Sequence, residues 1–158
     1  MSNVISQFKA YCQHLQDTIQ PLPNQLAINK NKVVLDDSAL TKYLSDMSED
    51  DNHFLAGVMP SFGSSGTDVD NHQFKGYTQL LILKKTSYSE RDYDEFLEIF
   101  EQAFDVVTDV VNKMKSDHAS GKCVFLRYLN VTSLQILPVW NKSGCNGWNI
   151  LFNFDNTF

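Results

Sequence analysis

Between residues 87 and about 117, apolar side chains recur at steps of three and four: Tyr93, Phe96, Leu97, Phe100, Phe104, Val107, Val110, Val111 and Met114. That spacing puts all nine on one stripe of a 3.6-residue helix. The opposite face carries Glu95, Glu98, Glu101, Gln102, Asp105, Asp109 and Asn112. Ser87 with Glu90, or Ser89 with Asp92, is placed to form a capping box at the start. Asp92, Asp94 and Glu95 suit the positive N-terminal end of a helix dipole, and Lys113, Lys115 and His118 suit the negative end. Gly121 is a natural stop. A helix of this length and pattern must lay its stripe on a sheet or on another helix, and that requirement constrains the rest of the chain.

Strands are available for it. Residues 76–85 read as a strand that is apolar on both faces from Leu80 to Leu83, so it should be central and covered on both sides. Residues 53–59 read as a strand ended by Pro60. In 147–154, Trp148, Ile150, Phe152 and Phe154 share one face, and Asn149, Leu151 and Asn153 share the other. Residues 123–129 and 133–140 read as two strands joined at Asn130-Val131-Thr132, which with the last strand makes an antiparallel meander. Pro138 marks an edge or a bulge. Ahead of these lie an N-terminal helix over 2–18, capped by Ser2 or Asn3 and ended by Pro21 and Pro23, and a hairpin of Leu26-Ala27-Ile28 with Val33-Val34-Leu35. A short helix over 39–47 follows, capped by Asp37 or Ser38. The expectation is a single α+β domain over 1–158: an antiparallel sheet of about five strands, one long amphipathic helix across it, and an N-terminal helix.

A formal charge of -6 and a pI near 5.0 argue against a nucleic-acid surface and against an anionic membrane surface, since both need a basic patch. Residues 1–7 are polar and do not resemble a secretory leader. No apolar run approaches the roughly 20 residues of a membrane span. Cys12, Cys123 and Cys145 are an odd set without paired spacing, which suits reduced thiols in a cytoplasmic protein. Cys145, in a turn rich in Gly and Asn, is the thiol expected at the surface.

No catalytic signature stands out. Asp68, Asp70 and His72 alternate in a polar loop and would converge on a divalent metal such as Mn²⁺ or Zn²⁺ if the loop is extended. The plainer reading is a loop whose side chains cap its own backbone. Gly63-Ser64-Ser65-Gly66 lacks the Lys and the helix of a phosphate loop and reads as a flexible connection able to order against a neighbour. Glu95, Glu98, Glu101 and Asp105 are close on the long helix, but a solvated helix face supplies no cleft for acid–base work. No cofactor is expected. Trp148 reads as a core anchor at the start of the last strand, with an interface role as the alternative.

Asp68, Asp70 and Asn71 before the central strand, the acidic helix over 89–117, and Gly147-Trp148 running through Phe152 and Phe154 together form a recognisable order. In that order the last hundred residues resemble a group of small phage and prophage proteins. They are also similar to tail-completion (tail-terminator) proteins, which form rings at the end of a phage tail tube. The resemblance implies a structural protein, not an enzyme. It would be a homo-oligomer that contacts itself and other tail or assembly proteins, and it would be virion-associated. The contact surfaces it implies are the loop residues Gly63, Ser64, Ser65, Gly66, Asp68 and Asp70 and the helix residues Glu98, Glu101 and Asp105. Two alternatives stand beside it. One is a small bacterial protein-binding or adaptor domain. The other is a metal-dependent enzyme using Asp68, Asp70 and His72.

Overall fold

A computed structural model of the chain describes residues 3–19, 27–65, 73–87, 89 and 91–155. The chain runs through α1 (Val4–Thr18), β1 (Ile28–Val34), α2 (Asp37–Ser45), β2 (His53–Ser65), β3 (Gln73–Lys85), α3 (Tyr93–Ser120), β4 (Gln135–Lys142) and β5 (Cys145–Asp155). The strands form one sheet in the order β1-β2-β3-β5-β4. Every neighbouring pair is antiparallel except β1 with β2. A parallel pair needs a crossover, and α2 supplies it. The fold is α+β.

β3 is the central strand, as its doubly apolar run demands. Leu80 and Ile82 pack on the face covered by α1 and α3, with Phe8, Leu15, Val107, Met114 and Ile150. Leu81 and Leu83 pack on the other face, where Leu40 and Leu44 of α2 meet Phe54 and Cys145. β5 lies beside β3 because Gly147 allows it: a Cβ there would sit 2.1 Å from the Ile82 carbonyl oxygen. The next residue, Trp148, is thereby aimed at α3.

Local chemistry explains most helix ends. Asn3 caps α1 by accepting from Ser6 N–H at 3.1 Å. Asp36, rather than Asp37 or Ser38, caps α2 through Ala39 N–H at 2.8 Å, and α2 ends at Ser45. Asp92 caps α3 through Glu95 N–H at 2.8 Å, so the helix starts later than the Ser87 and Ser89 alternatives imply. Gly121 closes α3 in the left-handed region at φ 66°.

Four expectations are corrected. The hairpin around residues 29–32 is instead the single strand β1, because residues 30–34 pair in parallel with β2 and Asn31 is tied to Gln13 and Gln16 of α1. β2 does not stop at Pro60 but continues to Ser65. Pro60 is tolerated because pairing with β1 ends at Val58 and the β3 ladder shifts between Val58 and Ser61. The meander fails because residues 124–128 form turns that bury Phe125 and Leu126 consecutively. Only the bridge Leu129 to Phe154 and the β4–β5 hairpin remain of it, with a 3-10 turn at Val131–Ser133 between. Pro138 is in β4, at the sheet edge, as its missing donor requires.

The fourth correction concerns α3. Its buried line is Phe96, Ile99, Ala103, Val106, Val107, Val110, Val111 and Met114. Tyr93, Leu97 and Phe104 from the expected stripe are exposed. Among the described residues, no helix is long and apolar enough to cross a membrane.

Candidate interaction face

The first half of α3 is rotated by what it meets on β4 and β5. Trp148 donates its indole N–H to the backbone carbonyl of Phe100 at 2.8 Å. Phe104 packs edge-on against the same indole, with ring centres 5.0 Å apart. Trp140, near the end of β4, packs edge-on against Phe96 at 4.7 Å and lies parallel to Phe100 at 6.2 Å. Aromatic pairs at such angles gain beyond their buried area. Ile99, Ala103 and Val106 turn toward the sheet, and Leu97 and Phe104 are left on the outer side.

The result is an open groove of about 810 Å³ between α3 and β4, floored by Phe100, Pro138 and Trp148. Its walls are far from buried: Tyr93 is 65% exposed, Trp140 54%, Leu97 41% and Phe104 40%. A contiguous apolar surface of this kind on a water-facing side is a candidate contact site. Glu101 and Asp105 stand on its rim, and Glu98 is exposed beside Leu97. Among the described residues none of these three carboxylates forms an ion pair. Over 93–109, α3 carries Asp94, Glu95, Glu98, Glu101, Asp105 and Asp109 and no Lys or Arg. From 113 to 127 the sign reverses, with Lys113, Lys115, Lys122 and Arg127 against Asp117.

A second cleft, of about 480 Å³, lies on the β2 side of α3, between residues 49–53, Lys84, Asp105 and Asp109. His53 lines it but is buried, and its Nε2 has no hydrogen-bond partner. Burial, reinforced by Lys84, lowers His53 to about 4, so the ring is neutral near pH 7. Asp51 is tied to Lys30 at 2.8 Å and to Ser48 N–H, which lowers its pKa. Among the described residues no group of three His, Cys, Asp or Glu side chains is placed to hold a metal.

A third hollow, of about 470 Å³, lies between α1 and the end of α3. There Asp117 accepts from Tyr11 O–H at 3.1 Å and pairs with His14 at 3.2 Å and Lys113 at 2.9 Å. Burial, then the Asp117 charge, raises the Tyr11 pKa and keeps its hydroxyl a donor. The carboxylate is spent on tying two helices together.

The thiols reverse one expectation. Cys145 is buried, with Sγ 3.7 Å from the Leu44 carbonyl, and burial pushes it up to about 11. The turn around it is compact because Ser143 and Gly144 both take positive φ and hold the Lys142 to Cys145 closure. Cys12 is also buried and pushed up to about 12, and Cys123 is the partly exposed thiol.

Among the described residues, those singled out from sequence do not all come together. Gly63, Ser64 and Ser65 belong to β2, paired with Lys75, Phe74 and Gln73, and are not a loop. Gly66, Asp68, Asp70, Asn71 and His72 lie outside the described residues. On β3, Lys75 is seven residues from Ile82, the partner of Trp148, which is roughly 23 Å of strand. The 63–65 end and the groove are therefore separate surfaces. Glu98, Glu101 and Asp105 are exposed, as expected, and two of them rim the groove. The aromatic walls were missed. Their signal was present: Ile99, Ala103 and Val106 add a second apolar line to α3, so the helix is apolar over more than one contact can cover. Comparison with protein-family models, with curated proteins and with solved structures finds no match to this chain.

Proposed function

We propose that the protein is a non-enzymatic structural subunit that works by contact with further copies of itself, through the groove between α3 and β4. Its setting would be the completion of a phage or phage-derived tail, the assembly its sequence resembles. The observation that carries this reading is the exposed aromatic groove with its unpaired acidic rim. Burying such a surface in a subunit contact removes apolar area from water, at roughly 25 cal/mol per Å² before the costs of association. Aromatic side chains held rigid by their neighbours make good anchors, because little rotamer freedom remains to be lost.

The test is solution mass by light scattering over a concentration series, for the natural chain and for the double variant Tyr93→Glu, Leu97→Glu. Both side chains stand out from the core, so the melting temperature should hold. The expected result is concentration-dependent association that the variant weakens at least tenfold. A natural chain that stays monomeric at every concentration overturns the reading and favours an adaptor that docks a different protein. Undiminished association of the variant overturns it as well.

A further inference from the structure

We propose that the groove receives the turn segment 122–128 of a second copy, so that the copies associate head to tail. This rests on the reading above and names the surface that fills the groove. The segment presents Val124, 51% exposed, and Tyr128, 46% exposed, flanked by the exposed cations Lys122 and Arg127. Phe125 and Leu126 anchor it in the core, and the His118 ring N–H donates to the Leu126 carbonyl at 2.8 Å. It is thus a preformed knob that needs little ordering to bind. Among the described residues neither Lys122 nor Arg127 forms an ion pair. An apolar pair beside two unpaired cations matches an apolar groove with the unpaired carboxylates Glu101 and Asp105 along its α3 side.

Geometry requires the match to be made in trans. From Leu97 to Gly121 is 24 residues of helix, on the order of 36 Å, so the segment cannot reach its own groove. Charge selects against the symmetric alternatives. Groove against groove brings the acidic halves of two helices together, and segment against segment brings cations together. The remaining contact is heterologous, which generates a closed ring or an open filament.

Two charge reversals test it. Glu101→Arg with Asp105→Arg makes the rim basic, and Lys122→Glu with Arg127→Glu makes the knob acidic. Each alone should weaken self-association at least tenfold with an unchanged melting temperature. An equimolar mixture should restore it, because each rim then faces an opposite knob. If the 122/127 reversal associates like the natural chain while Tyr93→Glu, Leu97→Glu does not, the inference fails and the groove reading stands. If none of the three variants alters association, both fail. Two variants that dissociate alone and stay apart when mixed also overturn the inference.

Discussion

His53 shows what a single buried ring does to the pH response. The folded chain holds it at about 4, against an ordinary value of 6.5. Between those values the unfolded chain binds a proton that the folded chain does not, so stability falls as pH falls. Above pH 6.5 neither state is protonated, and this contribution is complete. One proton corresponds to about 1.4 kcal/mol per pH unit, hence about 3 kcal/mol over the whole window. His53→Leu removes the titration, and because Nε2 has no partner it forfeits no hydrogen bond there. Denaturant unfolding at pH 7 and pH 4 should therefore show the variant losing less stability on acidification than the natural chain, by about that amount. Parallel losses would mean that the imidazole is hydrated in the fold.

At the level of elements, α3 is where the sequence was both most and least informative. Its 3.6 period is unmistakable, and Gly121 ends it as the pattern requires. The side that faces the sheet was not legible, because two apolar lines run along its first half and periodicity ranks them equally. The choice is made at a distance, by the Trp148 indole on the Phe100 carbonyl and by Trp140 on Phe96. Neighbouring positions should then differ sharply. Ile99→Asp places a charge under the helix and should unfold the chain, whereas Leu97→Asp, two residues away, should leave the melting temperature within a few degrees. Circular dichroism melts decide it, and equal tolerance at the two sites would mean that the helix faces the sheet with its other line. The same limit explains β1. Asn29 to Lys32 looks like a turn by composition, and it stays extended because it pairs in parallel with β2, with Gln13 and Gln16 of α1 holding Asn31. Capping was legible only at α1, where Asn3 is one of the two candidates; α2 uses Asp36 and α3 uses Asp92, neither of which is the expected cap.

For the whole molecule, local patterns sufficed for the α+β class and for a covered central strand. The order of the strands was out of reach, because the parallel β1–β2 pair and the insertion of β5 between β3 and β4 depend on contacts far apart in sequence. The candidate interaction face was half legible: the acidic helix residues were visible, and the aromatic walls were assigned to the core. If copies associate through the groove as proposed, the separation of charge along α3 makes that association salt-dependent. Raising sodium chloride from about 0.05 M to about 0.5 M shortens the screening length severalfold and should weaken self-association, with apolar burial in the groove limiting the loss. Sedimentation at the two salt concentrations measures it, and tighter association at high salt would mean that charge opposes the contact. The place of β5 has a further consequence, for synthesis. β3 leaves the ribosome about sixty residues before its partner, so the middle of the sheet has an empty slot while α3 and β4 are being made. Pairing on that flank of β3 waits for β5, although β1, β2 and β3 can already pair with one another. Until β5 is made, that flank of β3 is an unpaired strand edge, the kind of edge that invites pairing with another chain.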